Sequence, residues 1–310
     1  MAKGFISIEE LSAGQLRGLI ERTISEKSVY LAGRGTTPLE NRTLAMIFEK
    51  PSLRTRVSFE VAMAQLGGNC IYLAPTDIGL GTREPVKDVA RILGRMCDGI
   101  VARTFQHKLV VELAEWCPKP VINGLTDFNH PCQAMADLTA IKEYYGELEG
   151  RTLTFVGDGN NVARSLAWGC VKLGMKFILS CPPKYSFGND FIEKMKGSPA
   201  PGAMEVIHDP ETAVADADVI YTDTWVSMGQ EEEKNNRQRS FARFQINSNL
   251  VSLAPEHAIV LHCLPAYREC EITDGVFEKN AEYILNQAEN RLHFQRTLLK
   301  VLLAEGEIDS

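Results

Sequence analysis

The sequence contains no apolar run of the roughly 18–20 residues that a membrane-spanning helix needs. Its first residues lead into helix-forming sequence without the apolar region of a signal peptide. None of its 8 cysteines forms a C-x-x-C pair, and none has zinc-finger spacing with histidine. We therefore expect free thiols in a reducing compartment and a cytoplasmic protein without a membrane partner.

The sequence also lacks an excess of positive charge, internal repeats and low-complexity tracts. Its net charge of -7 argues against a nucleic-acid partner, because nucleic-acid-binding surfaces are basic. No cluster of metal-ligating side chains is visible, so we expect neither a metal nor a cofactor. Its 310 residues allow about two domains.

Short apolar runs alternate with helical patterns in two successive series. The first series predicts strands at residues 43–48, 70–73, 100–102 and 121–123. The second predicts strands at residues 152–156, 177–180, 205–207, 219–221 and 259–262. This alternation indicates an α/β fold of two doubly wound domains, each with a central parallel sheet flanked by helices, joined by interdomain helices. We place the domains at residues 1–145, completed by a C-terminal helix at 288–310, and at residues 150–285.

Local signals predict two helix boundaries and one loop. A capping box at Ser7-Ile8-Glu9-Glu10 predicts the first helix. The apolar pattern predicts a final helix over residues 289–303. Residues 230–236 follow Ser227-Met228-Gly229 and read as a mobile polar loop, either a lid or only a solvated charge run.

The segment Ser52-Leu53-Arg54-Thr55-Arg56 opens a helix directly after the first strand. A helix start binds anions, and an anion bridging the two arginines would explain why they lie at the positive end of the helix dipole. The alternative is an ordinary Ser cap with solvated arginines. Arg103 ends a later strand, where it faces either a ligand cleft or solvent. His130-Pro131-Cys132-Gln133 offers donors for a carbonyl oxygen, or is only a capping segment.

Together these segments resemble the S-x-R-T-R and H-P-x-Q motifs of the aspartate and ornithine carbamoyltransferases. Three more segments resemble the ornithine branch. They are Gly157-Asp158-Gly159-Asn160-Asn161, the D-x-x-x-S-M-G pattern from Asp223 to Gly229, and His262-Cys263-Leu264-Pro265. The resemblance implies transfer of a carbamoyl group from carbamoyl phosphate to the side-chain amine of L-ornithine, by a homotrimer or a multiple of trimers.

The resemblance also implies the site residues. Carbamoyl phosphate would be bound by Ser52, Leu53, Arg54, Thr55, Arg103, His130, Pro131, Cys132, Gln133, Cys263, Leu264 and Arg291. Ornithine would be bound by Asn161, Asp223, Ser227 and Met228. The catalytic group would be Arg54, Arg103, His130, Gln133, Asp223 and Cys263.

The chemistry of the acceptor agrees with this assignment. Ornithine is a diamine, and Asp223 supplies an acid for it, whereas aspartate would need basic groups for its extra carboxylate. Cys263 is better read as a polar wall than as a nucleophile, because strand alternation points His262 to the other face. Putrescine or an N-acylated ornithine stays open as the acceptor.

Two other classes of protein fit the sequence less well. A nicotinamide dehydrogenase would need a third glycine where Val162 stands. An inactive paralogue would need a damaged site, and only one motif position departs from the family. Gly79 stands where the family has a Gln or His that reaches phosphate in the neighbouring subunit. Either that contact is missing, in which case a Gln at this position should tighten carbamoyl phosphate binding, or another group or a water supplies it.

Overall fold

The computed structural model describes residues 4–200, 202–226 and 231–308. The chain forms two compact units: Met1–Thr139 with Asn290–Ser310, and Ala140–Glu289. Each unit contains a parallel sheet with helices between its strands. This confirms the predicted α/β architecture.

The first unit is built on a four-stranded sheet of order β2-β1-β3-β4, in which all strands are parallel. Its strands are β1 (Thr43–Phe48), β2 (Asn69–Leu73), β3 (Gly99–Arg103) and β4 (Val121–Leu125). Its helices are α1 (Ala13–Leu31), α2 (Leu53–Gln65), α3 (Pro75–Ile78), α4 (Val86–Met96), α5 (His107–Trp116) and α6 (Pro131–Tyr145), the last of which continues into the second unit.

The second unit is built on a five-stranded parallel sheet of order β7-β6-β5-β8-β9. Its strands are β5 (Thr152–Val156), β6 (Lys176–Ser180), β7 (Ala203–Val206), β8 (Val219–Thr222) and β9 (Ile259–His262). Its helices are α7 (Asn161–Lys172), α8 (Asn189–Lys196), α9 (Pro210–Val214), α10 (Lys234–Phe241), α11 (Ser248–Val251), α12 (Asp274–Lys279) and α13 (Ala281–Lys300), the last of which ends in the first unit.

The central strands of both sheets are mostly apolar because helices cover both of their faces. Every residue of the central strands β3 and β8 is buried, as is every residue of the edge strand β9, whereas the edge strand β2 is half exposed. In open parallel sheets, ligands bind beyond the carboxyl ends of the strands, where the strand order reverses. The reversals lie at β1 and β3 in the first sheet and at β5 and β8 in the second.

Three sequence-based boundaries were wrong. Ser7 caps only the short 3₁₀ turn Ile8–Glu10, and the first long helix begins after Ser12, whose capping box uses Gln15. The final helix begins at Ala281 and continues past Lys300 as a π-helical turn, Val301–Glu305. The predicted loop at residues 230–236 is helical from residue 231 onwards, in Glu231–Glu233 and α10. Arg237 and Phe241 bury one face of α10.

Candidate active site

The start of α2 lies beyond the carboxyl end of β1, as the sequence predicted. Ser52 is its N-cap, and its hydroxyl accepts a hydrogen bond of 3.2 Å from the Thr55 backbone N–H. The Leu53 side chain is 73% exposed, so only its backbone N–H can face an anion here. Arg56 has other partners: its Nε lies 2.9 Å from Glu60 Oε1, and its guanidinium stacks over Tyr72.

The buried Thr55 hydroxyl is the point at which two distant arginines meet. It accepts a hydrogen bond of 2.7 Å from Arg291 Nη2 and a longer one of 3.4 Å from Arg103 Nη1. Arg103 ends β3, and Arg291 comes from the part of α13 that belongs to the first unit. Both guanidiniums are almost fully buried. The structure thus brings together four predicted residues: Ser52, Thr55, Arg103 and Arg291.

The positive charges of this cluster repel one another. Burial, and then the charges of Arg291 and Arg54, lower the pKa of Arg103 to about 9. Burial, followed by Arg291 and Arg103, holds the pKa of His130 well below its ordinary value. His130 is therefore a neutral imidazole at physiological pH, and the arginines around it would be stabilised by a negatively charged ligand.

The first turns of α6 carry the remaining predicted residues of this unit. Cys132 is fully buried, which raises the pKa of its thiol to about 12, and its Sγ lies 3.5 Å from the Asn123 carbonyl. Pro131 is the first residue of the helix. The Gln133 side chain is buried, and its Nε2 donates a hydrogen bond of 2.7 Å to Asp137.

Lys50 is a cation near this site that the sequence reasoning missed. It lies two residues after the end of β1, is buried, and its ammonium lies 4.3 Å from the centre of the Phe105 ring. Burial and then the charge of Arg103 lower the pKa of Lys50. The only sequence signal was its position between a strand and the phosphate motif.

Asp223, the predicted acid, follows β8 in the second unit and is largely buried. Its two oxygens accept hydrogen bonds of 2.7 Å from the Thr224 N–H and of 2.8 Å from Asn160 Nδ2. Asn160 also caps α7, accepting from the backbone N–H groups of residues 162 and 163. The sequence singled out Asn161, which is the first residue of α7, whereas its neighbour Asn160 makes the bond to the acid.

A buried ion pair beside Asp223 was not foreseen. Arg237 Nη1 lies 2.6 Å from Asp158 Oδ2, and the same guanidinium bonds Glu233 and the Trp225 carbonyl. Burial raises the pKa of Asp158 and the charge of Asp223 raises it further, while Arg237 opposes both. Arg237 directly follows the segment 230–236 that the sequence predicted to be a loop, so its burial had no visible signal.

The predicted residues Cys263 and Leu264 follow β9, the neighbour of β8. Leu264 adopts a left-handed φ of 58°, and its N–H donates to His262 Nδ1 at 2.9 Å. The other ring nitrogen, Nε2, must then carry the proton that it shares with Glu271 at 3.1 Å. The imidazole is thus engaged away from the thiol, which agrees with Cys263 as a wall. Ser227 and Met228 lie outside the described residues.

Gly79 ends α3 with φ 59°, a left-handed conformation that favours glycine. A Cβ at this position would lie 2.7 Å from the Arg83 Cβ. A Gln here would therefore be strained, both in its backbone and against Arg83. A simple Gln substitution is expected to disturb α3 rather than to tighten carbamoyl phosphate binding.

Neither a membrane-spanning helix nor a metal site is found among the described residues. Within residues 4–200, 202–226 and 231–308, no helix is long and apolar enough to cross a membrane. In the same ranges, no group of three or more His, Cys, Asp or Glu side chains could hold a metal ion. All 8 cysteines are free.

Comparisons with known proteins cover almost the whole chain. Residues 3–143 match the carbamoyl-P binding domain of the aspartate/ornithine carbamoyltransferase family, and residues 149–302 match its Asp/Orn binding domain. An ornithine carbamoyltransferase from Anoxybacillus flavithermus is 46% identical over 97% of this chain and 96% of its own length. The anabolic ornithine carbamoyltransferase from Pyrococcus furiosus is 44% identical over 97% of this chain and 96% of its own length.

Solved structures give the same result. Ornithine carbamoyltransferase from Pyrococcus furiosus has a TM-score of 0.93 at 43% identity, covering 99% of this chain and 98% of that one. The anabolic enzyme from Campylobacter jejuni has a TM-score of 0.91 at 36% identity, covering 96% of this chain and 98% of that one. Along nearly its full length, in both sequence and fold, this chain belongs to the aspartate/ornithine carbamoyltransferase family.

Proposed function

We propose that this protein transfers the carbamoyl group of carbamoyl phosphate to the side-chain amine of L-ornithine. The products are L-citrulline and phosphate, and the enzyme is an ornithine carbamoyltransferase that works in arginine biosynthesis. The names of its relatives support this activity. The observation that carries it is the buried meeting of Arg103 and Arg291 on Thr55, behind the start of α2.

The phosphate half of the site rests on that cluster. Ser52, Leu53, Arg54 and Thr55 would offer the N–H groups, hydroxyls and charge of a helix start to the phosphate. A dianionic phosphate would relieve the like-charge repulsion that depresses the pKa of Arg103. Cys132 would contribute through its backbone N–H, because its thiol faces the Asn123 carbonyl. Pro131 has no N–H and would set the first turn of α6.

A second part of the site would bind the carbonyl and amide groups of carbamoyl phosphate. Because His130 is neutral, its ring N–H would donate to the carbonyl oxygen without carrying a charge of its own. Arg54 and Arg103 would stabilise the negative charge that grows on the carbonyl oxygen and on the departing phosphate. Gln133 would orient the carbamoyl amide.

The acceptor half lies on the second unit. Asp223, with Asn161, Ser227 and Met228, would bind ornithine and attract its amine. Cys263 and Leu264 would form the wall beside the reacting centre. The neutral amine attacks the carbonyl carbon, a C–N bond forms, the C–O bond to phosphate breaks, and the amine proton leaves with the phosphate.

We further propose a homotrimer or a multiple of trimers, working in the cytoplasm. Leu53, Val57 and Val61 lie at i, i+4 spacing on one face of α2, and all three are exposed, as is Ile71 on the edge strand β2. Apolar side chains presented together on one surface favour a protein contact there. The free cysteines agree with a reducing compartment. Light scattering should give about three times, or a multiple of three times, the 34.4 kDa chain mass.

A single assay tests the activity and its acceptor. The purified protein is given carbamoyl phosphate with ornithine, putrescine, N-acetylornithine, N-succinylornithine or aspartate, and each carbamoylated product is quantified. We expect citrulline to form with a kcat/KM well above that of every other acceptor. Faster turnover of putrescine or an acylated ornithine would replace ornithine as the substrate, and no product from any amine would reject the family's activity for this chain.

A further inference from the structure

Gln133 and Asp137 form a buried pair on α6. Gln133 belongs to the His130-Pro131-Cys132-Gln133 motif, whereas Asp137 lies outside every motif identified in the sequence. They lie four positions apart on one helix face, and both are almost completely inaccessible. Gln133 Nε2 donates a hydrogen bond of 2.7 Å to Asp137 Oδ1. The amide therefore turns its NH₂ group towards Asp137, whose carboxyl oxygen accepts the bond. The Gln133 carbonyl oxygen is then the atom left to meet a ligand.

The position of Gln133 puts that oxygen beside the proposed carbamoyl site. His130 lies three positions earlier, on the same side of the start of α6. It is close enough to Arg291 and Arg103 for both to lower its pKa. The helix holds the Gln133 backbone one turn behind His130, and the hydrogen bond to Asp137 fixes the orientation of the amide.

We propose that Asp137 is a positioning residue that makes the site specific for a carbamoyl group over other acyl groups of the same size. This rests on the proposed function, because it assigns a task to Gln133 within that site. With Nε2 held by Asp137, Gln133 Oε1 accepts a hydrogen bond from the NH₂ of carbamoyl phosphate. Acetyl phosphate has the same shape but carries a methyl group there, so it leaves the buried oxygen without a donor.

The size of the discrimination follows from that unmet acceptor. Sites built to bond a substrate N–H or O–H reject analogues that lack it far better than apolar pockets sense a missing methylene. We expect the native enzyme to bind carbamoyl phosphate at least about tenfold more tightly than acetyl phosphate. Equal affinity for the two would overturn the proposal without any variant.

The decisive variant is Asp137→Asn, which keeps the shape of the side chain but can also donate, so that the Gln133 amide is free to turn over. We expect the KM for carbamoyl phosphate to rise about fivefold to tenfold. The inhibition constants of acetyl phosphate and of inorganic phosphate should stay within about twofold, because neither ligand uses Gln133 Oε1. Equal weakening of all three ligands would mean a merely structural role, and no change in any of them would also reject the proposal.

Two further variants keep the test sound. Thr139→Val is the matched control, since it removes another buried polar group from α6, a hydroxyl bonded to the Met135 carbonyl, and should move none of the three constants. Gln133→Met keeps the length and removes the amide, so it should abolish the preference for carbamoyl over acetyl phosphate. When Asp137→Asn is added to Gln133→Met, the KM for carbamoyl phosphate should not rise further. A further rise would show that Asp137 does not act through Gln133.

These outcomes differ from failure of the activity itself. If the native protein forms no citrulline from carbamoyl phosphate and ornithine, the proposed function fails. If it forms citrulline but does not distinguish the two acyl phosphates, only the role of Asp137 fails. Should Asp137→Asn not fold, equal affinities of the native enzyme for the two acyl phosphates would still overturn the proposal.

Discussion

The Thr55 hydroxyl should matter more than any other buried threonine in the first unit. Thr55→Val preserves volume and β-branching and removes the oxygen on which Arg291 and Arg103 converge. Thr23→Val is a matched control, because Thr23 is also fully buried in a helix of the same unit. Its hydroxyl donates to the Leu19 carbonyl at 2.7 Å, a bond within one helix that involves no charge.

The expected magnitude follows from the charge on the donors. A hydrogen bond to a charged group contributes about 1.5–3 kcal/mol, against about 1 kcal/mol for a neutral one. Thr55→Val removes the 2.7 Å bond of Arg291 and the weaker 3.4 Å bond of Arg103. Within the part of the chain that the structure describes, Arg103 Nε already has no hydrogen-bond partner. We expect a loss of about 2 kcal/mol for Thr55→Val and under about 1 kcal/mol for Thr23→Val.

Urea unfolding of the ligand-free enzyme at one fixed protein concentration measures both losses. The arginines also lose their common anchor, so the KM for carbamoyl phosphate should rise about tenfold in Thr55→Val and stay unchanged in Thr23→Val. Equal stabilities of the two variants, together with an unchanged KM, would show that the arginines do not depend on this hydroxyl.

Three further outcomes follow from the site. The kcat/KM for ornithine should rise from pH 7 towards about 9, because the free amine has a pKa of roughly 10.4. The KM for carbamoyl phosphate should increase above about pH 9, because Arg103, whose pKa is about 9, loses its charge there. Flat profiles would contradict both. Gly79→Gln should lower thermal stability without tightening carbamoyl phosphate binding, because its φ is 59° and Arg83 crowds the Cβ; a tighter complex would mean that α3 rearranges. Asn160→Asp keeps the α7 cap but places a second carboxylate next to Asp223, where Nδ2 now lies at 2.8 Å. The KM for ornithine should then change several-fold and vary with pH below 7. Asn160→Ser loses only the hydrogen bond, so its KM should show no such pH dependence.

Local signals explain why so much of the fold could be predicted. Each strand is an apolar run of a few residues bounded by polar ones, and a serine marks the start of α2. The same locality explains the misplaced first helix. Ser7 and Ser12 are each followed three residues later by a residue that can complete a capping box, and only packing decides between them.

Contacts between distant residues could not be predicted from patterns. Arg291 meets Thr55 across 236 positions, and only the family resemblance placed it in the site. Arg237 and Lys50 are charged residues in polar surroundings, where exposure is the usual outcome. Their burial depends on what packs over them, which no periodicity encodes. Between Asn160 and Asn161, the capping geometry of α7 decides which side chain reaches Asp223.

The charges in each unit explain what those unpredicted contacts achieve. The first unit buries arginines beside one another, at the cost of a lowered pKa for Arg103. The second buries Asp158 near Asp223, and the pKa of Asp158 is raised even though Arg237 opposes it. We propose that an anionic phosphate offsets the repulsion between the arginines of the first unit, and that a cationic diamine offsets the repulsion between the carboxylates of the second. Like charges that lie close together cost stability in the protein alone, and an oppositely charged substrate would return that cost as binding free energy.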